Sequence, residues 1–132
     1  MRIGIDACCW SNRRGFGRYT RELVARMVEE APNHEFLLFV DQLTAQRCEL
    51  PANATIRVVN TDQQPTQAAS ADGARSPLDL WRMRSAVSHC PVDVFFFPAV
   101  YSFFPIKRRI PTVVTFHDAT AENFSNMIFH SF

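Results

Sequence analysis

Two short stretches of this chain are almost continuously apolar. They are Glu35–Val40 (Glu-Phe-Leu-Leu-Phe-Val) and Val92–Phe97 (Val-Asp-Val-Phe-Phe-Phe). A strand with one face in water alternates apolar and polar residues, whereas a continuous run fits a strand covered on both faces, as in parallel sheets. Arg2–Asp6, Ala54–Asn60 and Thr112–Phe116 (Thr-Val-Val-Thr-Phe) read as three further strands. Helical patterns lie between them. From near Gly17, the residues Tyr19, Leu23 and Met27 recur every fourth position, Val24 and Val28 widen the stripe, and Glu22, Arg26, Glu29 and Glu30 face away. Pro32 closes that helix. A second helix is expected over Pro77–His89, with Pro77 in its first turn and a stripe of Leu78, Trp81 and Ser85 joined by Leu80, Met83, Ala86 and Val87. Strands alternating with helices predict an α/β domain, a doubly wound parallel sheet with helices on both faces.

The 132 residues suit one domain, and a chain of this size buries enough surface to hold a core without staples. A formal net charge of +1 provides no strongly basic face, so nucleic acid is not an expected partner. No run approaches the roughly 18 apolar residues that would span a bilayer. The chain opens on a strand pattern rather than a secretory leader. Cys8, Cys9, Cys48 and Cys90 show no C-x-x-C spacing, and no histidine lies at ligand distance from a cysteine pair, so no metal site is expected. They read as reduced thiols of a cytoplasmic protein, with Cys8 and Cys9 as small apolar residues at a strand end. Asp41–Leu50 fits a short helix or a loop, and Thr61–Ser76 is a polar segment without periodicity. Loops of that length are usually functional or mobile.

In doubly wound sheets, ligands bind outside the carboxyl ends of the strands, where strand order reverses. Strands one and four are expected to flank that point. The glycine turn after strand one, the loop after strand four and His117 after strand five would then share one rim. The turn reads Arg13-Arg14-Gly15-Phe16-Gly17-Arg18. Glycines allow backbone N–H groups close to an anion, and a helix N-terminus favours negative charge. Arginines there oppose the helix dipole at a cost of a few tenths to about 1 kcal/mol, which a bound phosphate or carboxylate reverses. The alternative is a solvated basic turn beside an ordinary βα unit. His117 is a candidate for acid–base or hydrogen-bond chemistry near neutral pH, with Asp118 orienting it or capping the next segment. The alternative is a histidine bonded to a neighbouring loop. No nucleophile elbow and no G-x-x-x-x-G-K-[ST] phosphate loop is present. The dinucleotide fingerprint also fails, because Arg18-Tyr19-Thr20 stands where a third glycine belongs and about eight residues separate strand one from Gly15. No cofactor is expected, although Asp41 at the end of strand two keeps a ribose contact open. The loop Tyr101–Arg109, with Phe103, Phe104, Lys107, Arg108 and Arg109, can be read as an edge under another domain, a contact with an anionic bilayer surface, or a packed connection with solvated basic residues.

Arg-Ile-Gly-Ile-Asp-Ala with Gly15-Phe16-Gly17-Arg18-Tyr19-Thr20-Arg21-Glu22-Leu23 resembles the opening of family 4 glycosyltransferases of the two-Rossmann (GT-B) fold. Val92–Phe97 followed by Pro98 resembles that family's fourth strand, and Pro111–Asp118 (Pro-Thr-Val-Val-Thr-Phe-His-Asp) its strand ending in a His-Asp pair. The resemblance implies a Rossmann-like N-terminal half, residues 1–132, of an enzyme that moves a sugar with retention from a nucleotide-diphosphate sugar to a glycan or lipid-linked acceptor, without metal. It implies that His117 and Asp118 belong to the catalytic set, with His117 at the transferred sugar and Asp118 supporting the loop. It implies a substrate-binding wall of Arg14, Gly15, Phe16, Gly17 and Arg18, with Tyr101 in the acceptor loop. The nucleotide-binding half has no counterpart here, so the chain reads as a fragment inactive by itself. Its apolar tail (Phe124, Met127, Ile128, Phe129, Phe132) is expected to drive self-association, and its working place would be the cytoplasm or the inner face of the membrane. A non-catalytic α/β module that binds a ligand or regulator at the same rim is the competing reading.

Overall fold

The computed structural model describes residues 1–63, 76–107 and 109–117. Five strands form one all-parallel sheet: β1 (Arg2–Asp6), β2 (Glu35–Asp41), β3 (Thr55–Val59), β4 (Val94–Phe97) and β5 (Thr112–Val114), in the spatial order β3-β2-β1-β4-β5. The helices are α1 (Gly15–Glu30), α2 (Gln42–Arg47) and α3 (Pro77–Ser88), with short 3-10 turns at Cys8–Ser11 and Val100–Ser102. The domain is α/β and Rossmann-like, and strand order reverses between β1 and β4 as the alternation of patterns predicts. Among the described residues no helix is long and apolar enough to cross a membrane.

β2 and β4 feed two cores because successive side chains leave opposite faces of the sheet, whereas the edge strand β5 leaves Thr112 and Val113 exposed and packs only Val114 inward. Phe36, Leu38 and Val40 join Ile3, Ile5, Phe96 and the α1 residues Val24 and Val28 on one face. Leu37 and Phe39 join Phe95, Phe97, Phe104 and the α3 residues Met83 and Val87 on the other. This double covering is why β2 is apolar throughout. Gly4 sits on the phenylalanine face, where an added Cβ would lie 2.7 Å from the Phe95 ring.

Both helical stripes rotate from their expected centres. In α1 the buried line is Gly17, Thr20, Val24 and Val28, with Leu23 and Met27 on its margin and Tyr19 exposed. In α3 the buried residues are Asp79, Met83 and Val87, whereas Leu78 and Trp81 face outward. Asp79 goes inward because its carboxylate accepts from the backbone N–H groups of Asp62 (2.9 Å) and Gln63 (3.0 Å) and from Arg82. A polar residue thus takes a core-facing position to tie down the chain leaving β3. The expected bounds are otherwise close. β4 and β5 are each shorter than their apolar runs, and the segment Asp41–Leu50 opens with α2, capped by Asp41. The basic and aromatic loop divides: Phe104 is fully buried, and Tyr101, Phe103, Lys107 and Arg109 are exposed. Arg108, the tail residues and most of Thr61–Ser76 lie outside the described residues.

Cys8 and Cys9 are buried at the end of β1. Burial foremost, then the charges of Asp6 and Asp41, pushes the Cys8 thiol well above the usual thiol range. The folded thiol holds its proton at a pH where the unfolded one releases it, so this group's contribution to stability falls as pH rises through and above the ordinary thiol range. A charged disulfide reagent at about pH 8 should modify the half-buried Cys48 and Cys90 in the native protein and reach Cys8 only after unfolding. Equal labelling rates by mass spectrometry would contradict that burial.

Candidate functional site

The connection from β1 to α1 is a built structure rather than a free turn. Trp10 is buried and its indole N–H donates to the Glu49 carbonyl at 3.0 Å. Asn12 Oδ1 accepts from the Arg14 backbone N–H at 2.7 Å. Arg21, one and a half turns into α1, reaches back so that Nη1 donates to the carbonyls of Trp10 (2.6 Å) and Asn12 (2.8 Å). The helix begins at Gly15, two residues earlier than its apolar pattern suggests, so the glycines form its first turn and neither has positive φ. Their roles differ. A Cβ on Gly17 would stand 2.0 Å from the Asn12 carbonyl oxygen, whereas one on Gly15 meets nothing within 4 Å. The space at Gly17 is taken by the protein's own backbone. Only the Gly15 side is open to a ligand.

The N-cap residue Arg14 makes no side-chain cap and the first turn holds no acidic residue. The first N–H groups of a helix have no intrahelical acceptor. Arg13, Arg14 and Arg18 are exposed around this end, and none is ion-paired among the described residues. The local field is therefore positive and suits an anion.

Two loops from the far side of the switch point meet this helix start. After β4, the 3-10 turn at Val100–Ser102 carries Tyr101, whose ring packs on Phe16 with centroids 5.3 Å apart. After β5, Thr115 and Phe116 lead to His117, whose ring meets Tyr19 edge-on with centroids 4.8 Å apart. His117 Nε2 lies 2.8 Å from the Pro98 carbonyl at the end of β4. A carbonyl only accepts, so Nε2 carries a proton, and in the neutral ring that leaves Nδ1 as an acceptor. Nδ1 has no partner among the described residues, and the residue is exposed. His117 is thus bonded to a neighbouring loop through Nε2, the alternative that the sequence left open.

Of the residues singled out from sequence, Phe16, Tyr101 and His117 converge with the open helix end at Gly15. Arg14 and Arg18 flank them, and Gly17 serves the loop behind. Asp118 lies outside the described residues. Two residues escaped the sequence reading. Tyr19 counted as core, yet it stands one turn from Phe16 on the same face, the i,i+3 spacing that aligns neighbours. Arg21 shares the i, i+3, i+7 line of Val24 and Val28, and a charged residue on a buried line signals a backbone-binding guanidinium. Asp41, the ribose candidate of a dinucleotide reading, has both carboxylate oxygens engaged by Thr44, at 3.0 Å to its N–H and 2.7 Å to its hydroxyl. Compared with family models, curated proteins and solved structures, the chain matches none.

Proposed function

We propose that this chain is the acceptor-side domain of a retaining glycosyltransferase that uses a nucleotide-diphosphate sugar. The observation that carries this reading is the convergence at the β1/β4 switch point. A helix start with no side-chain cap, ringed by arginines, a histidine whose Nδ1 has no partner among the described residues and the Phe16–Tyr101 ring pair line one rim. Each part has chemistry suited to that substrate. The helix end and arginines offset the charge of a diphosphate, most of all as it departs. His117 Nδ1 accepts from a sugar hydroxyl, and its fixed tautomer holds that acceptor in place without reorganisation. Phe16 and Tyr101, tilted 44° to each other, offer apolar ring surface beside it. Groups that would hold the nucleotide base and ribose are not among these residues, and in this reading a second domain supplies them. The reading carries a cytoplasmic setting with it, where the four thiols stay reduced.

The purified chain alone is expected to transfer no sugar from UDP-glucose or GDP-mannose, and turnover would contradict the division of labour between two domains. In a thermal-shift panel, nucleotide sugars at millimolar concentration are expected to stabilise the chain, and His117→Ala to reduce the response. Stabilisation by NAD alone, or a response indifferent to His117, would overturn the assignment.

A further inference from the structure

The start of α1 has a second side. Residues two apart on an α-helix point about 200° apart, so Tyr19 and Arg21 leave α1 in opposite directions. Tyr19 meets His117. Arg21 turns toward α2, where a cleft of about 660 Å³ opens between the Cys8–Ser11 turn, α1 and the end of α2. Its walls carry the guanidinium groups of Arg13, Arg21 and Arg47 with the single carboxylate of Glu49, and Trp10 and Leu43 supply apolar surface. The cleft shares Arg13 with the rim and is otherwise lined by different residues.

None of the three arginines forms an ion pair among the described residues. Arg21 is half-buried, and its Nη1 is fixed by two backbone carbonyls, so the remaining edge of its planar fork is held in one orientation. Like charges gathered around one cleft repel, and the repulsion is relieved by an anion with several oxygens. Guanidinium forks match the oxygens of a phosphate in pairs, which an ammonium group does not. The volume falls in the usual range for small-molecule sites, and the apolar wall suits a carbon skeleton attached to the charged group.

We propose that this cleft is a binding site for an organic phosphate, a phosphate ester carried on a polyol, held by Arg13, Arg21 and Arg47 with its carbon skeleton against Trp10 and Leu43. The proposal does not depend on the transferase reading. The phosphate comes from a free sugar phosphate or from a phosphorylated lipid headgroup, and the two sources are separable.

The full chain would be titrated calorimetrically with glucose 6-phosphate. In parallel it would be sedimented with phosphatidylcholine vesicles containing phosphatidylinositol 4-phosphate, at constant ionic strength. Saturable binding is expected in at least one arm, and the responding arm identifies the source. The double variant Arg13→Glu/Arg47→Glu should weaken it by about a hundredfold, since each of the two lost charge-assisted contacts is worth about an order of magnitude. The charge-matched control Arg57→Glu/Arg84→Glu changes exposed arginines on β3 and α3 and should leave it unchanged. Arg21 is left intact because its replacement would also release the Trp10 and Asn12 carbonyls. If the double variant does not fold by circular dichroism, Arg13→Gln and Arg47→Gln, both at exposed positions, should each weaken binding severalfold. No saturable binding in either arm, or an equal loss in the control, would overturn the proposal.

Discussion

Replacing Gly17 with alanine is expected to lower stability by about 2–3 kcal/mol, the upper part of the range for overpacking a closed site. The new methyl would stand 2.0 Å from the Asn12 carbonyl oxygen, and that carbonyl also accepts from Arg21 at 2.8 Å. Backbone must move, and moving it releases a guanidinium anchored at both Trp10 and Asn12. The gain in helix propensity, at most about 1 kcal/mol, does not offset this. Gly15→Ala is the matched comparison. Nothing lies within 4 Å of its added Cβ, and its backbone is already helical. It should be neutral or stabilising by about 0.5–1 kcal/mol, largely by restricting the unfolded chain. Urea denaturation of the two variants checks the pair. Similar midpoints for both would remove the close approach at Gly17 as the reason for a glycine there.

The largest loss is expected for Phe95→Ala, about 3–5 kcal/mol, the typical cost of deleting a buried phenylalanine ring. Phe95 is fully buried and its ring meets Phe97 at 4.9 Å, Phe39 at 5.6 Å and Phe104 at 5.7 Å. Against a total stability of about 5–15 kcal/mol for an ordinary domain, one such cavity removes a large share. Phe103→Ala should cost about 1–1.5 kcal/mol, because that ring is 44% exposed and less apolar area returns to water. A double-mutant cycle tests the packing itself. Gly4→Ala alone forces a methyl to within 2.7 Å of the Phe95 ring, so it should destabilise the parent and be tolerated in the Phe95→Ala background. Additive losses would show that Gly4 and Phe95 do not share the space. Chemical denaturation of the four proteins supplies the cycle.

The fold was legible because its strongest signal is local. A strand covered on both faces must be apolar at every position, and Phe36 to Val40 satisfy that without reference to anything distant. The rim was legible one step further on, since strand order and the position of each loop at a strand end are set by the βα alternation. The side-chain partners were not. Tyr19 looked like a core residue because a helical stripe has no sharp edge, and the seat of α1 on the sheet decides which of its margins is wet. Leu78 and Trp81 likewise look apolar and inward by pattern. The carboxylate of Asp79, bonded to two backbone N–H groups, turns α3 so that they face out.

The sequence by itself determined a parallel α/β sheet reversing between β1 and β4, with the Gly15–Gly17 segment, Tyr101 and His117 at one end of it. Hydrophobic period and chain alternation suffice for that, since both are properties of the chain order. Only the tertiary structure decided that Gly17 admits the chain's own Asn12 carbonyl while Gly15 stays open, that His117 donates through Nε2 to the Pro98 carbonyl, and that Arg13, Arg21 and Arg47 surround one cleft. Those are contacts between segments many residues apart. Their energies depend on distances of a few tenths of an ångström, which the packing of α1 and α2 against the sheet sets and no local pattern encodes.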